Sequence, residues 1–379
     1  MAATGKDRVG QVLIQEGDFS YWFASRVIPN AITEFPLFAY LNGDLHGHMM
    51  VVPITLLGFA ICLGYYRTPA GATMRRRLLL FGALPPVVGF ILFTNTWSFP
   101  TILGIAWLTL VFSPTPPITL LLPGRDTSDN VVLNELRRIT VSALLVLPIA
   151  TIGIAWVAPF VPNVLLSTAS NRSIGFLPER TNIVALVVAH GTFLVPFAGY
   201  IIGSVAWEEH QERVLGALVS VFALITLTTI AGAAAVGVVG PVLVMGWYLH
   251  RRGTLGAEAI PIVAGCGLVL LVEFVYLKDG AASGRFNTVF KVYAQVWALW
   301  SIPFGVALAA LLRPRSTERY WDSLARSFGV SIWLVIAALY GLLSLVQHFE
   351  PFVRTWYGAL IEGHRHLLSL QLGAAVGAV

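Results

Sequence analysis

Apolar residues run along this chain in long blocks, not in the alternation of a half-buried strand or the narrow stripe of a water-facing helix. Blocks long enough to cross a bilayer occupy 48–66, 78–94, 99–113, 139–162, 183–206, 214–230, 233–249, 257–277, 289–312 and 328–347. Each predicts a helix, and together they predict an all-α polytopic transmembrane bundle of about ten spans. The sixth and seventh blocks share a Gly/Ala-rich run ending at Pro241, so this pair could instead be one broken helix. The pattern divides the chain into an external N-terminal segment (1–47), a helical membrane domain (48–347) and an external C-terminal tail (348–379).

Composition points the same way. Of 379 residues, 56% are hydrophobic and 11% are charged, whereas a soluble domain runs near a quarter charged. This excludes a typical cytosolic enzyme or a nucleic-acid binder, and it makes the bilayer the first partner. The net charge of +5 reflects arginine-rich loops, which orient a polytopic chain. If the loop of Arg75, Arg76 and Arg77 is cytoplasmic, ten spans also place Arg125, Arg137, Arg138, Arg213, Arg251, Arg252, Arg313, Arg315, Arg319 and Arg326 inside. The non-cytoplasmic side of the cell membrane then receives the segment before the first span, 94–100, 162–182, 278–287 and the tail. Cys62 and Cys266 lie within apolar blocks, so no disulfide framework or cysteine metal site is expected.

Three outer stretches carry the remaining polar chemistry. In Ile32-Thr-Glu-Phe-Pro-Leu-Phe-Ala-Tyr-Leu-Asn-Gly-Asp-Leu-His-Gly-His48, an extended backbone sets Asp44, His46 and His48 on one side, near Glu34 in sequence. That spacing suits a divalent metal or an acid/base pair, while the alternative is an Asp44 helix cap with interfacial histidines. In Thr94-Asn-Thr-Trp-Ser-Phe-Pro100, Trp97 reads as a belt residue, and Asn95 needs a partner or a wet cavity. In the third, from Glu273 to Trp297, Thr288, Lys291 and Gln295 form a polar stripe and Tyr293, Trp297 and Trp300 an aromatic one. Cations, an amide and aromatics on one cavity suit a phosphate beside a lipid chain. The alternative is an ion pair, Glu273 with Lys291 or Asp279 with Arg285, holding two helices together. His190 could bond a neighbouring helix or act in chemistry.

These stretches, with Arg285-Phe-Asn-Thr-Val-Phe-Lys-Val-Tyr-Ala-Gln-Val-Trp297 as the last, resemble in sequence and order the blocks of the Chlor_Arch_YYY membrane proteins, over about residues 18–300. That family is similar to the GT-C superfamily of polytopic glycosyltransferases, which take sugars from polyprenyl-phosphate donors at the non-cytoplasmic face. The resemblance implies catalytic roles for Asp44, Glu34, His46 and His48, the last two and Asp44 also as candidate metal ligands. It implies a substrate-binding block of Arg285, Asn287, Lys291 and Gln295, joined by Asn95, Trp97, Tyr293 and Glu273. A transporter or flippase of a similar lipid, or a non-catalytic subunit, is the other reading of the same residues. Members of the family carry further spans upstream with a tyrosine-rich motif, so the resemblance also implies a partner chain supplying them, or a fragment.

Overall fold

The computed structural model describes residues 25–41, 43, 45–122, 130–165, 173–205, 211–278, 284–313, 330 and 331. Asp44, Arg125, Asp279, the tail and all of the tenth expected span except 330 and 331 lie outside the described residues. Except for Ser331, the described residues belong to one unit, Ser25–Val330.

Each of the first nine apolar blocks coincides with a helix. A short helix α1 (Pro36–Leu41) precedes α2 (Gly47–Arg67), α3 (Thr73–Thr94), α4 (Phe99–Phe112) and α5 (Val131–Trp156). Then come α6 (Ile183–Gly203), α7 (Gln211–Ile230), α8 (Ala234–Arg251), α9 (Ala259–Phe274) and α10 (Phe286–Leu312). Among the described residues, α2, α3, α5, α6 and α10 are long and apolar enough to cross a membrane. Shorter apolar helices cover Thr96–Phe112, Val219–Ile230 and Ala259–Phe274. Leu144, Leu147, Val195 and Phe222 are exposed on the outer faces, which is where lipid replaces water as the solvent of a bundle.

Local chemistry sets the helix boundaries. The side chains of Asn130 and Asn182 accept from Leu133 N at 3.1 Å and Ala185 N at 2.9 Å, capping α5 and α6. Within α3, Leu78–Ala83 widens to a π turn, and Leu84 N bonds Leu79 O. Pro85 and Pro86 follow at once and cannot donate to the carbonyls four residues back, so the ladder shifts register there. Glycines 232 to 240 do not fuse two blocks into one helix: α7 ends at Ile230, Gly232 takes φ +67°, and α8 begins at Ala234.

One feature departs from an all-helical chain. Ser173–Phe176 (β1) pairs antiparallel with Val275–Lys278 (β2), with Ser173 opposite Lys278 and Phe176 opposite Val275. The apolar block at 257–277 therefore leaves the helix at Phe274 and ends as a strand. The ladder ties the approach to α6 onto the α9–α10 corner.

Helix α10 is the hub, packed on α9, α6, α2 and α1. Trp300 is fully buried against Phe197 and donates to Ile262 O at 3.2 Å. Gly265 permits this, because any β-carbon there would overlap the indole.

The end of α4 explains several arginines for which orientation had seemed reason enough. Its last carbonyls have no helical partner. Arg251 donates to Val111 O at 3.0 Å, His250 Nε2 faces Phe112 O at 3.0 Å, and Arg138 donates to Ser113 O at 2.8 Å. Glu135 fixes Arg251 at 2.8 Å and accepts from Trp247 Nε1 at 3.0 Å. Arg76, fully buried, donates to the Tyr65 hydroxyl at 2.5 Å. These contacts gather Arg76, Arg138 and Arg251 at one end of the bundle, and the three motif stretches meet at the other.

Candidate functional site

At the motif end, the chain turns from α9 through β2 into α10 around a buried ion pair. Arg285 donates to Glu273 Oε1 at 2.6 Å, with side chains only 7% and 2% exposed. Thr181, just ahead of α6, completes the group: its hydroxyl donates to Glu273 Oε1 at 2.6 Å and its amide to Oε2 at 2.9 Å. Arg285 also donates to Thr181 Oγ1 at 2.7 Å. One turn on, Thr288 Oγ1 accepts from Leu277 N at 3.0 Å, fastening α10 to β2. Both charges are thus compensated, and both carboxylate oxygens are occupied.

The second group assembles from residues more than 240 positions apart. Lys291 Nζ lies 3.0 Å from His48 Nδ1, which accepts from the ammonium. Glu34 is the carboxylate whose charge acts on Lys291, and Arg26 acts on Glu34 from its own segment. Burial pushes the Glu34 carboxyl up, opposed by the charges of Arg26 and Lys291. Burial likewise lowers the Arg26 guanidinium, opposed by Glu34. Among the described residues no ion pair within 4 Å closes Lys291 on a carboxylate. His48 and Gln295 are 2% and 4% exposed, yet His48 Nε2 and Gln295 Oε1 have no hydrogen-bond partner. Gln295 Nε2 donates to Lys291 O at 2.8 Å and reaches Trp97 O at 3.4 Å, so the second motif stretch touches the third.

The glycine between the two histidines has a mechanical reason. A β-carbon on Gly47 would stand 2.5 Å from Thr94 O, so only glycine lets the start of α2 lie against the end of α3. That contact holds His48 toward α10, where its ring meets Phe290 edge-on at 4.5 Å. Phe35 packs on Trp297 with ring centroids 5.3 Å apart, joining the Glu34 segment to the same helix.

The remaining candidates fall elsewhere. Asn95 donates to Ser98 Oγ at 2.9 Å and shapes the turn between α3 and α4. Asn287 is half-buried in the first turn of α10. Tyr293 and Trp300 are buried against α6, Tyr293 meeting His190 edge-on at 4.3 Å, which leaves half-buried Trp297 and Trp97 as the outward aromatics. Both His190 nitrogens and the Tyr293 hydroxyl are buried without hydrogen-bond partners. His46 is exposed, its ring 6.0 Å from that of His48. Among the described residues no three His, Cys, Asp or Glu side chains converge, and Asp44, one of the three expected metal ligands, lies outside them. A dication on His48 would also face the Lys291 ammonium. Arg26 and Thr181 escaped sequence reasoning, since neither carries a spacing signal and only the fold brings them to their partners.

The comparisons with known proteins rest on the whole of this end. Residues 1–300 match the model of a family described as an uncharacterized membrane protein (DUF2298). The chain belongs to the DUF2298 family. The match takes in all three motif stretches and both polar groups of this DUF2298 chain, and it agrees with a membrane protein of apolar helices. No curated protein and no solved structure matches it.

Proposed function

We propose that this chain is a membrane glycosyltransferase of GT-C-like, ten-span architecture. It takes a sugar from a polyprenyl-phosphate donor at the non-cytoplasmic face of the cell membrane. The observation that carries the reading is the convergence of Glu34, His48 and Lys291, a carboxylate, an imidazole and a cation that no carboxylate neutralises at contact distance among the described residues. Buried and half-buried ionisable groups in a bundle are functional candidates, because leaving them uncompensated costs stability. The gathering of arginines at the opposite end supports the orientation, by the excess of basic residues in cytoplasmic loops.

In this reading Glu34 takes the proton of an acceptor hydroxyl as its oxygen attacks the anomeric carbon. The carbon–oxygen bond to phosphate breaks, and its electron pair stays on the departing phosphate oxygen. Lys291 stabilises that developing charge, and His48 aims the ammonium. Half-buried Trp97 and Trp297 offer the apolar side on which a prenyl chain rests. Arg285 takes no part, since Glu273 and Thr181 hold it.

The test uses membranes containing the chain, supplied with polyprenyl phosphate bearing a radiolabelled sugar. Label should leave the lipid fraction, and Lys291→Met and Glu34→Gln should each abolish that loss at unchanged protein level. Retained transfer in both variants would sink the assignment, and label crossing the bilayer still attached to lipid would favour a flippase instead.

A further inference from the structure

We propose that the β1–β2 ladder is a lipid-facing surface seated in the headgroup layer at the motif end. Its Ile174 and Phe176 face meets the acyl chains, and Arg180 and Lys278 meet the lipid phosphates. The proposal goes beyond the transferase reading and holds whichever activity the chain has.

The strand register decides which side chains share a face. Residues directly opposite on paired strands project to the same side, and successive residues project to opposite sides. Ile174 opposite Leu277 and Phe176 opposite Val275 therefore make one face, entirely apolar. Ser173 opposite Lys278 and Gly175 opposite Tyr276 make the other. A ladder bathed in water would turn the apolar face inward. Here Ile174 is 58% exposed and Phe176 70%, while Gly175, between them on the other face, is buried. A β-carbon on Gly175 would overlap the Tyr276 ring, so the tyrosine covers that strand backbone closely.

The exposure continues past the strand. Leu177 N donates to Phe274 O at 2.8 Å, and its φ of +51° is a left-handed backbone that a bulky side chain rarely adopts. Its side chain is 67% exposed. Three large apolar side chains within Ile174–Leu177 are thus presented outward by a fixed ladder.

Lipid is the occupant that fits. The ladder joins the end of α9 at Phe274 to the approach to α6 at Ile183, so it lies level with the ends of two apolar helices. At that depth apolar side chains reach acyl chains, while open strand edges still find water and lipid oxygens. Cations flank the apolar face. At one end the Arg180 guanidinium lies over the Phe274 ring, 5.1 Å from its centroid, and at the other Lys278 is exposed. Long basic side chains there rest their stems on apolar surface and put their charge among phosphates. Glu179 is exposed beside Arg180. A second copy of the chain is the rival occupant, but a stable interface takes about 20–30 residues a side. This face offers Ile174, Phe176, Val275 and Leu277, with Leu177 next to them.

The experiment reads depth directly. The full chain carries a nitroxide at Ile174→Cys, Phe176→Cys or Glu179→Cys in phosphatidylcholine vesicles. Cys62 and Cys266 are fully buried, and the unmutated chain is the labelling blank. Collision of the nitroxide with oxygen, which concentrates among acyl chains, is compared with collision with a water-soluble nickel chelate. Oxygen should dominate at 174 and 176, and nickel at 179. Two positions on the face keep the test decisive if one variant does not fold. Nickel dominating at 174 and 176 places the face in water and overturns the proposal. Weak collision with both reagents also overturns it, because protein then covers the face. Replacing Arg180→Gln and Lys278→Gln together should shift the label at 176 toward nickel, and an unchanged ratio overturns the role of the two cations.

Discussion

Two polar groups lie within two turns of each other on α10 and are built on opposite plans. Around Arg285, one cation meets one carboxylate, Thr181 fills the remaining hydrogen-bonding positions, and three separate segments are locked together. Around Lys291, the cation rests on an imidazole, the carboxylate that acts on it stays beyond contact, and two neighbouring side chains keep polar atoms without partners. A fully paired buried charge is a fastener: removing either half strands the other. A cation left uncompensated lowers stability by its presence, so its retention calls for another explanation. The contrast separates residue types that look alike in sequence, since Arg285 and Lys291 belong to one basic stretch.

Substitution should divide the two groups. The largest effect is expected for Arg285→Met, which leaves Glu273 buried and unpaired and should cost about 3–5 kcal/mol in a detergent unfolding titration. A loss no greater than that of Lys291→Met would erase the distinction. At the arginine end, His250→Phe strands Phe112 O and should cost about 1–3 kcal/mol by the same titration, with transfer unchanged once the protein is folded. An intermediate case is Gly47→Ala, which pushes the end of α3 from the start of α2 and turns His48 away from Lys291. A loss of about 1–3 kcal/mol is expected for such overpacking, accompanied by a drop in transfer larger than the loss of folded protein explains.

Much of the bundle was legible because a bilayer demands continuous apolar runs, and helices α2 to α10 lie where the first nine of those runs lie. The two-stranded ladder was not. Ser173-Ile-Gly-Phe176 has no turn partner nearby, and Val275-Tyr-Leu-Lys278 continues an apolar helix block without a break in pattern. The ion pair was half legible: sequence offered Glu273 with Lys291, or Asp279 with Arg285, and the fold pairs Glu273 with Arg285. The choice depends on how β2 turns the chain and on Thr181, which arrives from about ninety residues away. The polar stripe of Thr288, Lys291 and Gln295 followed from helical spacing, and each member does meet a partner outside its own helix. The aromatic stripe followed equally, yet spacing could not tell that α6 would cover Tyr293 and Trp300.

The smallest predicted effect is the most specific to Glu34. Burial raises its carboxyl in the folded state, so the fold favours the protonated form. Its contribution to stability is present at low pH and is lost as pH rises through the folded value. Glu34→Gln should flatten the pH dependence of unfolding by up to about 1.4 kcal/mol per pH unit across that window. An unchanged slope would remove Glu34 from the group around Lys291.

The central claim is that Lys291, and not Arg285, is the cation offered to a ligand. The direct measurement is the shift in thermal unfolding midpoint on adding polyprenyl phosphate to the wild type, Lys291→Met and Arg285→Lys. The account predicts that the lipid raises the midpoint of the wild type and of Arg285→Lys alike, the latter from a lower start, and leaves Lys291→Met unmoved. A lipid-induced rise that survives in Lys291→Met and vanishes in Arg285→Lys would contradict it.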